Sequence, residues 1–498
     1  MASELNSAKA LFGIRRGSQV RMTRLPLEGF SAGIIFIGLF WLIAFVPFAG
    51  FPSLHLEEGT HASPAKDLLA HHHWLAPEQL GGIPYYNKPP MLPWLMAVTG
   101  LALGTLNEWA VRIPALLSTL AIAILVYCTA RPIVSQRSAI AASAAAILTP
   151  SVMLVSSVGE TDLLATSFSF AAFVVFIQSD RRGGIDLPRA ILIGALMGGA
   201  ALSKGPVPLL FPVGGMVLFR LFYGPKSDLA WLVLSLLVAA GLLGIWALPK
   251  LGPMTRAVWF SQMRLDTALH PASLLAWLSS MLRFIGYFFV ENLPVSLAVL
   301  PVLTPTWRRR LGIPERFGCA ITCYALAGTA LLTIGSATRA RYALPAEPAL
   351  AVAAGLILEQ LSSSAPKLPR LAIAALVPLA FFQIARADII TLLRADVVQR
   401  NRQVGEAIDA EIRRAPAPIV LLNGPLDSNC LFYLHKETDD LIVASLPTSG
   451  PVWLLFGNGG VVWPESLQTR ITSPMLDLRS RDNEPLRLYR VDLSKSGG

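Results

Sequence analysis

Long apolar runs follow one another along most of the chain, separated by short polar connections. In lipid every backbone N–H and C=O must be satisfied within its own segment, so runs approaching about 20 residues read as spanning helices. About eleven spans are predicted, over 29–50, 110–131, 138–156, 161–178, 189–203, 206–222, 229–249, 283–303, 317–335, 343–361 and 371–391. The 189–203 run is short and is expected to be tilted or broken. Prolines and charge crowd the start of 92–104, so it reads as a helix lying at the interface; the upper count is thirteen.

The pattern changes near residue 394. The tail, 394–498, is more polar and carries short strand-like runs, "APIVLLNG", "CLFYLH", "DLIVASL" and "PVWLLFGNGG", broken by Gly, Pro and Asn. Ala395–Arg414 reads as an amphipathic helix leading into them. The predicted fold is therefore an all-α polytopic membrane body, 1–393, followed by a small C-terminal extracytoplasmic α/β domain, 394–498. Residues 51–109 form the first extracytoplasmic loop, with interfacial helices.

Composition agrees. The chain is 54% hydrophobic and 14% charged, with mean hydropathy +0.56. Soluble domains carry about 25% charged residues. The polar, basic start and the apolar run from Phe30 to Gly50 read as a membrane anchor, not a cleaved leader. A net charge of +10 is explained by basic cytoplasmic loops, so no nucleic acid partner is expected. Arg15, Arg16, Arg21 and Arg24, then Arg131, Arg137, Arg181, Arg182, Arg189, Lys226, Arg308, Arg309, Arg310, Arg316, Lys367 and Arg370 fall on one side of the counted spans. That side is cytoplasmic, and an odd count carries the tail outside. Cys128, Cys319 and Cys323 lie in apolar helices and Cys430 in the tail, which does not suggest a disulfide framework. GxxxxGK[ST], GxGxxG after a strand and HExxH are all absent, so ATP-driven and dinucleotide-dependent activities have no support.

The charges left on the outer side carry the chemistry. They are Glu57 and Glu58, Lys88 in "GGIPYYNKPPMLPW", Glu160 and Asp162, Lys204 in "ALSKGPVPLLFP", Arg256, Arg264 and Asp266, and Arg339 and Arg341. Ionisable groups at membrane depth are costly and face a partner or a polar cavity. Cations stabilise a phosphate leaving group as its charge grows. A carboxylate can take the proton of an acceptor hydroxyl. The set therefore suits a transferase that works on a lipid-linked phosphate at the outer face.

The order of these motifs resembles the lipid-phosphate-dependent glycosyltransferases of the C-type superfold, on the side of the aminoarabinose lipid A transferase and protein mannosyltransferase group. The likeness runs from about Phe30 to Gly355 and rests on "LEEGTHASPAKDLLAHHHWLAP", on "GGIPYYNKPPMLPWLMAVTGLALGTLNEWAVRIPALL", and on "ETDLLATSFSF", "ALSKGPVPLLFP" and "RARYALPAEPALAVAAG". It implies that Tyr85, Tyr86 and Asn87 line the active-site cavity and that Lys88 faces the donor phosphate. It implies a base or acceptor-orienting role for Glu57, with Glu58 as its partner. Asp162 would orient a loop or the acceptor, and Glu160 could cap the following helix. Lys204, Arg264, Arg341 and Tyr342 would hold the donor phosphate.

Two departures bear on metal. Asn87 and Gln262 stand where some relatives carry Glu and His of a metal site. Both are poor zinc ligands, so no metal or other cofactor is expected, and only a weakly held divalent ion would be compatible. His71–His73, taken as consecutive helical residues about 100° apart, do not converge and read as a solvated or interfacial patch. Cys319 and Cys323, one helical turn apart, read as packing.

The function expected is transfer of a sugar from a polyprenyl-phosphate donor to lipid A or lipopolysaccharide, another envelope glycan, or a protein. The rivals are a transporter or flippase for lipid-linked sugars, and a non-catalytic lipid-binding subunit. No repeated halves are visible, which disfavours a transporter.

Overall fold

The computed structural model describes residues 30–250 except 48, 81 and 87; 252; 274–299; 304; 315–334; 339–457 except 366, 423–426 and 444; 467; and 473–494. Of the expected site residues, Asn87 and Arg264 lie outside this set, as does Gln262.

The protein is mostly helical. Among the described residues six helices are long and apolar enough to cross a membrane: Glu108–Ala130, Thr161–Arg181, Asp228–Lys250, Leu274–Glu291, Glu315–Ile334 and Arg341–Ser362. Shorter apolar helices cover Phe30–Phe45, Met91–Leu103, Val207–Phe222 and Leu368–Ile384. Met91–Leu103, of 13 residues, is about 20 Å long, short of the roughly 30 Å hydrocarbon thickness. Its Leu92, Met96 and Ala97 are buried, and Gly104 ends it at φ 73°.

Several expected elements shift for readable reasons. The 138–156 span is two helices, Gln136–Ile147 and Pro150–Val155, because Thr149 caps the second and Pro150 occupies its first turn. The 189–203 run is a continuous helix, Leu187–Lys204, capped by Asp186. The helix expected at 283–303 lies earlier, at Leu274–Glu291. The 395–414 helix divides at Gln399 into Ala395–Val398 and Arg400–Arg414. "CLFYLH" is no strand. Asp427 caps a short helix, Ser428–Leu431, and Cys430, Leu431, Phe432 and Leu434 turn into the core.

Small residues bring the spanning helices close. A Cβ on Gly194 would meet the Ser235 carbonyl oxygen at 2.6 Å, and one on Gly198 would meet Leu242 at the same distance. Glycine here lets Leu187–Lys204 seat against Asp228–Ala247, the role small residues play in lipid, where no hydrophobic drive brings helices together.

The C-terminal segment holds a five-stranded sheet of β3 (Ile419–Leu422), β4 (Ile442–Val443), β5 (Pro451–Phe456), β6 (Leu476–Arg479) and β7 (Pro485–Asp492), which follow a two-stranded pair, β1 (Glu78–Gln79) and β2 (Ile83–Pro84). The order is β4-β3-β5-β7-β6, with β3 parallel to β4 and β5, and β7 antiparallel to β5 and β6. Val404, Ile408 and Ile412 of the helix Arg400–Arg414 bury against Ile419, Trp453 and Leu488.

This segment grips the first loop. Ser53 donates to the Val398 carbonyl at 2.6 Å, and Tyr433 Oη accepts from the Leu54 amide at 2.8 Å. Asn401 and Asn429 donate to the carbonyls of Leu54 and Leu56 at 2.8 and 2.9 Å. Asn429 Oδ1 accepts from the Gly59 amide at 2.8 Å, and a Cβ on Gly59 would strike the Ser428 backbone. The sheet therefore sits at the membrane end that carries residues 51–90.

Candidate active site

The chain reverses at Leu56, which holds φ 56°, an uncommon conformation for a branched side chain. The helix Glu58–His71 begins directly after it. This kink sends two adjacent acids to different places. Glu58 is wholly buried and is consumed by Arg112, itself wholly buried. Arg112 Nε and Nη2 reach its two oxygens at 2.7 Å each. The same guanidinium donates to the carbonyls of Ala49 and Pro52 at 2.7 and 2.9 Å, and Gly159 donates to Glu58 at 2.8 Å. Burial raises the Glu58 carboxyl, but Arg112 outweighs it and holds the group well below the usual range. Glu58 is thus a clamp between the first loop, the helix Glu108–Ala130 and the turn before Thr161.

Glu57 points elsewhere. Its carboxylate is 41% exposed and lies 3.7 Å from both Arg339 and Arg341 and 4.0 Å from His61 Nε2. Arg341 is the hub, reaching Glu160 and Asp162 at 3.9 Å each. Asp162 is in direct contact with Lys204, whose ammonium lies over the Tyr342 ring, 4.6 Å from its centre. Apart from that contact the ions stand 3.7–4.0 Å apart, too far for direct hydrogen bonds. His61 Nε2, Glu160 Oε1 and Arg341 Nε are buried, and among the described residues they have no hydrogen-bond partner. Such atoms in a native structure call for water, an ion or a ligand.

Of the expected residues, the structure gathers Glu57, Glu160, Asp162, Lys204, Arg341 and Tyr342. Lys88 is half-buried, and its charge acts on His61 and Asp162. Tyr85 is buried, and Tyr86 beside it half-buried. Glu58 is not among them. Glu160 occupies the position before Thr161, yet its side chain makes no capping hydrogen bond, because it turns toward His61 and Arg341.

His61 was not among the expected catalytic or donor-binding residues. It is wholly buried one turn after Glu57, with Nδ1 2.8 Å from the Tyr85 hydroxyl and Nε2 3.9 Å from Glu160. Burial lowers its pKa, and Glu57 and Lys88 act in opposite directions, leaving it at about 4. The ring is therefore neutral at pH 7. Burial, then Glu57 and Glu160, push the Tyr85 phenol well above its usual value. Glu160 is raised by burial and by Asp162 and Glu57, against Arg341 and Lys204. Glu57, His61 and Glu160 each offer one ligand atom within 4.8 Å of the others, so these three are the cavity residues that could hold a cation.

Comparison with known proteins follows this geometry. Residues 87–246 match the dolichyl-phosphate-mannose-protein mannosyltransferase family. The chain is 26% identical over 333 residues to undecaprenyl phosphate-alpha-4-amino-4-deoxy-L-arabinose arabinosyl transferase 1 of Sodalis glossinidius, covering 64% of this chain and 57% of that protein. It is 27% identical over 194 residues to the lipid A galacturonosyltransferase RgtD of Rhizobium johnstonii, covering 39% and 38%. The matched region thus spans less than two thirds of either relative. The crystal structure of ArnT from Cupriavidus metallidurans bound to undecaprenyl phosphate superposes with a TM-score of 0.65 at 16% identity, over 95% of this chain and all of that one. The chain has the fold of that structure. The expected resemblance to the aminoarabinose transferase and mannosyltransferase group holds across sequence and fold, and the six long apolar helices fit a multi-pass membrane protein.

Proposed function

We propose that the protein is a membrane glycosyltransferase that moves a sugar from a polyprenyl-phosphate donor to an envelope acceptor. The observation that carries this reading is the spaced cluster of Glu57, Glu160, Asp162, Lys204 and Arg341 on an ArnT-like fold. Lys88, Lys204 and Arg341, with Tyr342, hold the donor phosphate. Lys88, whose charge acts on His61 and Asp162, meets the leaving oxygen as the phosphate–sugar bond breaks. Glu57, the exposed carboxylate, takes the proton of the attacking acceptor hydroxyl. Asp162 orients Lys204, and Tyr85 and Tyr86 line the cavity. Arg264 and Asn87 keep their expected roles in the same reading.

The wider layout belongs to this proposal: about eleven spans in a bacterial inner membrane, a cytoplasmic N-terminus, and the site and the 394–498 α/β domain outside. The acceptor is lipid A or lipopolysaccharide, in line with the name of one relative, the lipid A galacturonosyltransferase, with other envelope glycans and proteins as the alternatives. The test is donor titration with purified protein in nanodiscs and a polyprenyl-phosphate-linked sugar. Lys88→Ala is expected to lower the maximal rate about 10²- to 10³-fold, more than it weakens apparent donor affinity. An unchanged maximal rate would show that the loop only anchors lipid. Mass spectrometry of envelope lipids from cells with and without the gene identifies the sugar and acceptor.

A further inference from the structure

A second cluster lies at the far end of the helix that starts beside Glu57. The helix Glu58–His71 stops at His71, and His72 takes a left-handed φ of 62° with its amide bonded to the Leu68 carbonyl. The three histidines are therefore not consecutive helical residues, and the premise that kept them apart fails. The reversal folds His73 back beside His71, with the rings stacked at 5.7 Å. Asp67, one turn earlier, faces both. Its Oδ1 lies 2.9 Å from His71 Nδ1 and 3.3 Å from His73 Nδ1.

We propose that Asp67, His71 and His73 form a binding site for a divalent cation of the zinc class. The three ligand atoms lie within 4.8 Å of one another. Four ligands about 2.0–2.1 Å from a tetrahedral zinc are about 3.3 Å apart, close to the two distances seen. The ligand set is one carboxylate and two imidazoles, which zinc takes readily, leaving a fourth position for water or an entering oxygen ligand.

The anchor is already oriented. Asp67 Oδ2 accepts the Glu78 amide at 3.0 Å, which fixes the carboxylate and leaves Oδ1 to the two rings. Asp67 is 10% exposed, while His71 and His73 are 54% and 46% exposed, so the open position is reachable. The surrounding groove, about 500 Å³, adds Glu78, Asp439 and Asp440 against Lys66 and Lys436. Lys66 is already paired with Asp439, so the remaining field favours a cation. Ten residues of helix place this cluster about 15 Å along the axis from Glu57, and it shares no ligand with Glu57, His61 and Glu160.

The test uses the full chain in detergent, stripped with a chelator and titrated with zinc alone by calorimetry, with cobalt(II) absorption as a second readout. Wild type, His72→Ala and His61→Ala are expected to take up zinc at this site and to show the visible bands of four-coordinate cobalt. The His71→Ala/His73→Ala double variant is expected to lose both, with an unchanged melting temperature because both rings are half exposed. Asp67→Asn, which keeps the side-chain volume, is expected to weaken uptake about tenfold or more. Uptake lost in His61→Ala but kept in the double variant would put the metal at the other cluster and overturn the proposal. Absence of zinc uptake by wild type in the micromolar range would also overturn it, leaving Asp67 as a hydrogen-bond acceptor for the two rings.

Discussion

The helix Thr161–Arg181 carries a buried charge cluster at each end, and the two are built differently. Asp162 and Asp180 are separated by about 27 Å of helix, close to the thickness of a bilayer core. At the Asp180 end the ions are in direct contact. Wholly buried Arg220 touches Asp180, reaches Asp228 at 2.7 Å and covers the Phe176 ring at 4.6 Å. Arg316 closes on Asp180 with bonds of 2.8 and 2.6 Å. Four helices are pinned there by charges in direct contact. At the Asp162 end only Lys204 is in contact, and Arg341 stands 3.7–3.9 Å from three carboxylates. Buried charge alone therefore does not mark a site. The proposed function draws on the spacing between the charges, since close pairs hold helices and spaced ones leave room for a ligand.

That contrast can be broken by substitution. The largest effects are expected at the close pairs. Arg220→Met and Glu58→Gln each leave an uncompensated buried charge and are expected to cost about 3–5 kcal/mol of stability, with turnover of the surviving folded fraction within about twofold. Thermal melts beside single-turnover rates check this, and a large rate loss at full stability would erase the distinction. The Glu58 pair also has a pH signature. A carboxyl held below its ordinary value stabilises fully above that value and loses the contribution as pH falls. Glu58→Gln should therefore flatten the acid limb of the stability curve.

Next comes Glu57→Gln, with folding and donor binding intact and transfer reduced about 10²-fold. A wild-type rate there, with Asp162→Asn inactive, would reverse the two roles. Arg341→Lys is expected to weaken apparent donor affinity about tenfold with a smaller loss of maximal rate, read from the same titration. The smallest effect is at the rim of the close cluster. Arg316, half exposed, should cost only about 1 kcal/mol on replacement by alanine.

Of the candidate site, Glu57, Lys88, Asp162, Lys204 and Arg341 stood out in the sequence because charge at membrane depth is costly and each sits in a recognisable local motif. Glu58 was expected beside Glu57 as its partner, since the residue that takes it away, Arg112, lies 54 positions on. His61 had one available signal, its spacing of four from Glu57 on a helix face. The Asp180–Arg220–Asp228 cluster was hidden by the charge bias, which counts basic residues for orientation and ignores the acids among them. The break at Thr149 was readable from Thr-Pro, but the hydropathy of 138–156 masked it. The fold of residues 419–492 was half legible. β3, β4 and β5 were seen as runs, whereas β6 and β7 carry alternating charge and rest on pairing across the sheet.

The grip of residues 398–433 on residues 53–59 sets an order of assembly. The acidic kink leaves the ribosome early, yet the groups that hold it, Val398, Asn429 and Tyr433, follow 345 to 379 residues later. At roughly 5–20 residues per second that is a wait of about 17 to 76 seconds. During it the kink at Glu57 lacks the contacts from residues 398–433 that hold it. In the proposed reading, the loop that carries Glu57 is therefore fixed only once residues 398–433 have emerged and closed over it.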